Sequence, residues 1–370
     1  MKSKITVFSS LIFIVILYSC QLRHDILPQY TQKRISFKMD DLGCGNTWGF
    51  VNKEDSIFIY HITNDYIKFK FIDDTNSNEI LYEYPTQYRN TFTSRIADIL
   101  PISNEEIVIS SIDNNLNVCI TQYNCIENEI DTICQTGMRD GVYFYGAKNG
   151  DLDGIYHKGS NSIFFTAVDH SVNETERQSM DVRCVYQVNL STGEHSFIDL
   201  KFPDNYLSRI QVSLTNDCYI NSYKEELLIV FPMDEIVYKY NPPNESAEEF
   251  IFEEFEHNPI LNADSTVKDM NDITELYFQT FQYYRIFYSD STQRFYRFYG
   301  DTAITKNPNK KSVGVALYDK NKRFIKNFSV NESNIKNSYY NAIMTEKGLL
   351  FIEEINKKDD FILLGYLNIG

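Results

Sequence analysis

Arg95, Arg139 and Arg209 are the first residues to weigh for chemistry. A guanidinium fork suits carboxylate or phosphate, and the chain around them is acidic, with a formal net charge of −16 at pH 7 over 370 residues. With Trp48, Asp140, Tyr283 and Tyr339 they fall at the mouths of expected inner strands, where converging polar and aromatic groups would line a ligand pocket. The competing reading pairs Arg95 and Arg209 with neighbouring carboxylates such as Asp98. The histidines, His24, His61, His157, His170, His195 and His257, are scattered. No two have metal-ligand spacing, and there is no His-Glu-x-x-His. A Gly-x-Ser-x-Gly elbow and a phosphate-cradling glycine loop are also missing. Asp113-Asn-Asn115 and Asp151-Leu-Asp-Gly154 carry oxygen ligands for a hard cation, but the same residues are ordinary turn formers. The expectation is therefore no metal, no cofactor and no identifiable catalytic set.

The elements that must position these residues are β-hairpins. Ser56–Phe71 reads as an apolar run, a polar Thr63-Asn64-Asp65 break and a strictly alternating strand, the pattern of a hairpin with one buried face. Similar runs begin at Glu106, Ser162, Glu226, Arg285 and Gly348, at intervals of 50–64 residues. A drifting period of this size matches propeller blades, each a four-stranded antiparallel sheet. The expected fold is all-β: a six-bladed β-propeller. Its last repeat shows three strands, so the alternating run Arg34–Met39 is expected to supply the fourth and close the ring, which removes exposed sheet edges. Inner strands are expected near Thr47–Val51, Arg95–Leu100, Gly154–Tyr156, Arg209–Leu214, Thr274–Phe278 and Tyr340–Thr345.

Residues 1–19 read as a signal peptide: Lys2 and Lys4 precede an apolar stretch from Ile5 to Tyr18, too short to span a bilayer comfortably. It ends Leu17-Tyr-Ser-Cys20, similar to a bacterial lipobox, in which cleavage precedes Cys20 and the thiol carries the lipid. Several acyl chains on one residue give stable anchoring. Gln21 after the cysteine, by resemblance to other lipoproteins, points to the outer membrane. Residues 20–33 are expected to be the lipidated cysteine and a polar tether, and 34–370 a single propeller domain. The negative charge disfavours nucleic acid, whose phosphates need lysine and arginine clusters.

Six further cysteines, Cys44, Cys119, Cys125, Cys134, Cys184 and Cys218, form no Cys-x-x-Cys, which argues against a zinc ribbon or redox motif. A simple hairpin centred between Ile126 and Glu127 would set Cys119 directly opposite Cys134, close to the geometric limit for a disulfide.

The lipobox-like start, the aromatic-rich hairpins and the late-pairing N-terminal strand resemble the six-bladed-propeller lipoproteins of Bacteroidota that are grouped as a domain-of-unknown-function family. The resemblance covers nearly the whole mature chain as a pattern and implies no catalytic residues. The expected form is a monomer held to the membrane through Cys20, facing the periplasm or cell surface. The expected role is a cell-envelope binding module for a protein or glycan-derived ligand. The alternative is a propeller enzyme, a lyase or hydrolase working with charged funnel residues.

Overall fold

The computed structural model describes residues 29–36, 47–53, 56–62, 66–71, 79–83, 95–102, 106–124, 127, 129–145, 152, 154–172, 181–203, 218–257, 260, 279–301, 312–330, 342–346, 348–356 and 361–368. Strand β1 (Gln29–Ser36) stands apart from its sequence neighbours. The first blade holds β2 (Thr47–Lys53), β3 (Ser56–Ile62), β4 (Tyr66–Phe71) and β5 (Glu79–Glu83). The second holds β6 (Arg95–Pro101), β7 (Glu106–Ile112), β8 (Asn117–Asn124) and β9 (Glu129–Gly137). Next come β10 (Val142–Phe144), β11 (Gly154–His157), β12 (Ser162–Asp169), β13 (Val185–Asn189) and β14 (His195–Phe197), which form a sheet of another kind. The third blade is β15 (Tyr219–Tyr223), β16 (Glu226–Val230), β17 (Val237–Asn241) and β18 (Ser246–Phe250). The fourth is β19 (Gln282–Ser289), β20 (Arg294–Asp301), β21 (Ser312–Tyr318) and β22 (Phe324–Ser329). The closing blade is β23 (Ala342–Thr345), β24 (Gly348–Asn356) and β25 (Phe361–Asn368), completed by β1. All pairings are antiparallel, and the inner strands touch in the order β2, β6, β11, β15, β19, β23 and back to β2.

The expectation of six four-stranded blades is corrected to five, because the repeat that begins at Ser162 builds a five-stranded sheet. Strand β12 is eight residues long and buried throughout, but the expected inner strand beside it covers only half that length. Gly154–His157 pairs with Ser162–Phe165, and Val142–Phe144 pairs with Ala167–Asp169. Two short strands thus share one neighbour, and a repeat length carries no trace of that division. The run at Arg285 also takes a different place: it lies inside β19, the innermost strand of its blade, and not in the second strand. The expected inner segments Arg209–Leu214 and Thr274–Phe278 lie outside the described residues.

Strand β1 pairs with β25 over eight residues, from Gln29 opposite Asn368 to Ser36 opposite Phe361. It therefore starts five residues before the expected Arg34, in what was read as tether. Glu353 is the extra residue of a bulge in β24 and is 0% exposed. Its carboxyl group accepts hydrogen bonds from the Tyr30 hydroxyl and, at 2.6 Å, from Gln32 Nε2. Tyr30 also stacks on Phe351, and the Arg34 guanidinium lies 3.8 Å above the Phe361 ring.

A bulge likewise decides the cysteine register. Near the β8–β9 turn, Asn124 faces Glu129 and Thr121 faces Thr132, as a simple hairpin requires. The ladder then shifts at Ile133, so Cys119 faces Gln135 and Cys134 faces Ile120. The two thiols are free.

Close approach of strands recurs at glycines that face aromatic rings. Gly314 faces Tyr299 and Gly365 faces Phe351. A Cβ there would stand 2.2 Å from Tyr299 Cζ and 2.3 Å from Phe351 Cε2. The rings fill space on the partner strand that any side chain would occupy.

Two measurements check these constraints. Gly314→Ala should cost about 1–3 kcal/mol in denaturant unfolding, the usual cost of overpacking; a loss under about 0.5 kcal/mol would mean that the Tyr299 ring swings away freely. Tyr30→Phe should cost about 1–3 kcal/mol, since buried Glu353 loses a donor, whereas unchanged unfolding would show that β1 does not depend on that bond.

Candidate functional site

The residues singled out from the sequence separate in the structure. Trp48 lies in β2 and Arg95 opens β6. Arg139 and Asp140 sit on a 3₁₀ turn, Met138–Asp140, between β9 and β10. They pair with each other at 3.3 Å in the open, and Arg139 Nη2 donates to the Gln135 carbonyl at 3.2 Å. Arg209, Tyr339 and Cys20 lie outside the described residues. Asp98, offered as a partner for Arg95, accepts from the backbone N–H groups of Ile99 at 2.8 Å and Gly154 at 3.0 Å. It therefore stitches β6 to β11. Asn221 does the same further round, donating to the Ile286 carbonyl at 2.7 Å. Polar side chains of the inner strands here join neighbouring sheets.

Tyr283 is the exception, because other functional groups gather on it. It is the second residue of β19, is 2% exposed, and faces the third blade. Its hydroxyl shares a hydrogen bond with His257 Nε2 at 3.1 Å. The His257 ring in turn stacks on Phe281, with centroids 3.9 Å apart. Below Tyr283 lies Arg297 of β20, also 2% exposed, with its guanidinium carbon 3.6 Å from the Tyr283 ring centroid. Its terminal nitrogens donate to the carbonyls of Glu235 at 3.0 Å and Asp234 at 3.3 Å, in the turn between β16 and β17. A desolvated cation over an aromatic face gains about 2 kcal/mol. With the two carbonyl bonds this fixes the third blade to the fourth. Burial pushes the Tyr318 phenol, which also meets Arg297, up to about 12, and burial pushes the Tyr283 phenol up as well. Both phenols are therefore neutral hydrogen-bonding groups at physiological pH.

Above this floor two glutamates reach solvent. Partial desolvation, then a hydrogen bond and like-charge repulsion from Glu254, raise the Glu235 carboxyl above its usual range, while His257 and Arg297 pull it back. The two carboxyl groups are hydrogen-bonded to each other and face solvent together. Glu235, Glu254 and half-buried His257 thus form a small polar rim over a floor in which the terminal nitrogens of Arg297 and the Tyr283 hydroxyl are hydrogen-bonded, while Arg297 Nε has no partner among the described residues. Among the described residues, no group of three or more His, Cys, Asp or Glu is arranged to hold a metal.

The rim escaped sequence reasoning because its parts come from four places: the β16–β17 turn, the run Phe252–His257, the start of β19 and the middle of β20. The usable signal was Phe252-Glu-Glu-Phe-Glu-His257, in which Phe252 and Phe255 are buried and the glutamates between them exposed.

A raised acid makes a signed prediction. Its contribution to stability is complete below its unfolded value, near 4.5, and is lost as pH rises through the higher folded value. Glu235→Gln should therefore match the parent near pH 4 and exceed it at pH 7. The gain should be about 0.5 kcal/mol at most, because the side chain is exposed. Parallel pH–stability curves for the two proteins would exclude the coupling.

Residues 140–326, which contain the whole rim and floor, match the model of the family described as Domain of unknown function (DUF4221). The structure is similar to that of a member of the duf4221 family from Bacteroides vulgatus, at 11% identity and TM-score 0.52, covering 92% of this chain and 96% of that one. It is also similar to a protein from Bacteroides fragilis named "Putative exported protein", at 12% identity and TM-score 0.55, covering 93% and 97%. Likeness at these identities is likeness of fold. Among curated proteins, none matches the sequence.

Proposed function

The chain belongs to the DUF4221 family, and from that premise we propose that it is a lipid-anchored β-propeller of the cell envelope that binds a protein or a glycan-derived ligand. The observation that carries this reading is the rim of Glu235, Glu254 and His257 over an immobilised floor. Arg297 and Tyr283 are held by carbonyls, a ring face and His257, so the groups offered outward are the two carboxyl groups and the imidazole. Such groups suit hydroxyls and amides, which sugars and peptide backbones present. A cell-envelope location is supported by the charged start, the apolar stretch and the lipobox-like Leu17–Cys20, all outside the described residues, and by the name carried by the Bacteroides fragilis relative; Gln21 after the cysteine, by resemblance to other lipoproteins, favours the outer membrane. Among the described residues, no helix is long and apolar enough to cross a membrane.

Two experiments test the reading. Titration with oligosaccharides and peptides released from the native envelope should give saturable binding that Glu254→Gln with His257→Ala weakens at least tenfold while the fold is retained; binding that the double variant leaves intact would remove the rim from the site. Cys20→Ser should move the protein from the membrane fraction to the soluble one. A variant that still sediments with membranes would rule out the lipid anchor.

A further inference from the structure

We infer that His157 and Glu225 form a pH-dependent contact across the seam between the five-stranded sheet and the third blade, tightening when the imidazole takes a second proton. His157 ends β11 and is 3% exposed. Its ring meets Phe164 edge-on, with centroids 6.3 Å apart, and Phe164 meets Tyr240 of the third blade at 6.1 Å. The imidazole therefore sits inside the seam. The turn that follows sets its tautomer. The Ser160 N–H donates to Nδ1 at 3.1 Å, so the proton of the neutral ring is on Nε2. That buried Nε2 has no hydrogen-bond partner among the described residues, and a buried donor without an acceptor is costly.

The group placed to answer it comes from the other side of the seam. Strands β11 and β15 are neighbours, and Glu225 stands exposed in the β15–β16 turn, with no hydrogen bond or ion pair among the described residues. A Cβ on Gly159 would lie 2.8 Å from Glu225 Oε2, 3.1 Å from His157 Cε1 and 3.7 Å from His157 Nε2. The carboxylate thus uses the space that Gly159 leaves open beside the ring, and a turn of its side chain brings it to Nε2. The other groups around the seam are engaged or turned outward. Lys158 is exposed, the Lys224 ammonium lies over the Tyr223 and Tyr288 rings at 5.2 and 5.6 Å, and Glu226 pairs with Lys239 at 3.3 Å. The Tyr156 hydroxyl donates to Asn161 at 3.0 Å, and burial pushes the Tyr240 phenol up to about 12. With the ring neutral, Nε2–H offers Glu225 an ordinary hydrogen bond. A second proton arrives at Nδ1, where Ser160 Oγ, 2.9 Å away, replaces the amide as its partner, and the ring becomes a cation beside a carboxylate. An opposite charge this close favours the charged form, and a histidine changes charge between pH 5 and 8. The contribution of Glu225 to stability is therefore largest at the acid end of that range and falls as the ring loses its proton.

The test follows the imidazole carbons of the full chain by NMR from pH 5 to pH 8.5, with His157→Gln identifying the His157 signal. In Glu225→Gln the His157 midpoint should fall by about half a pH unit or more. Gly159→Ala fills the space over Gly159 and leaves every charge in place, and it should lower the midpoint likewise. The thermal unfolding temperature of the parent should exceed that of Glu225→Gln by more at pH 5.5 than at pH 8. Equal midpoints in the parent and Glu225→Gln, or a His157 signal that does not titrate in this range, overturn the contact. A midpoint that falls in Glu225→Gln alone shows the carboxylate acting from a distance and overturns the geometry over Gly159. A thermal difference that does not change with pH overturns the pH dependence.

Discussion

The ladder between β1 and β25 is the constraint on which the rest of the ring depends. Every other blade is made from a continuous stretch of chain and can pair its own strands. The closing blade takes its outer strand from residues more than 300 positions away, so the first and last parts of the chain fold as one sheet. Glu353 makes that arrangement specific. A fully buried carboxyl group is costly unless hydrogen bonded, and two of its donors, Tyr30 and Gln32, come only from β1. A strand of similar apolarity without those donors would cover the edge of β25 and still leave Glu353 short of two hydrogen bonds.

Between the blades a different economy of space operates. Neighbouring sheets are packed by aromatic rings, and several rings occupy the space above a glycine on the strand beside them, as Tyr299 over Gly314 and Phe351 over Gly365. This accounts for a composition rich in Tyr and Phe with one Trp: flat rings of moderate size fit across a single strand. Where the third and fourth blades meet, a buried arginine takes over part of that role. Arg297 ties the Asp234–Glu235 carbonyls to the Tyr283 face, holding rigid the floor over which Glu235, Glu254 and His257 project.

Much of this was legible in the sequence. Alternation marked the hairpins, and the missing fourth strand of the last repeat pointed to an N-terminal donor. What escaped were places where the ladder departs from period two. A pattern of alternating residues assigns faces but counts no insertions, so the bulge at Ile133 that separates Cys119 from Cys134 was invisible, as was the bulge that inserts Glu353. The split partner of β12 was hidden for a related reason: Val142–Phe144 is too short to register as a strand by itself. His257 looked like one scattered histidine among six because its partners, Phe281 and Tyr283, are 24 and 26 positions away in sequence.

The divided inner edge of the five-stranded sheet has a consequence for how far a slip of register can travel. Strands β10 and β11 are registered on β12 independently, one on its C-terminal half and one on its N-terminal half. A slip of one of them would not by itself slide the other, whereas a slip of an unbroken inner strand would turn its whole buried face outward. Each piece also has its own hold on the molecule: the Tyr145 N–H extends the first by donating to the Thr166 carbonyl at 3.1 Å, and buried Leu152, just before the second, donates to the Ala97 carbonyl of β6 at 3.2 Å.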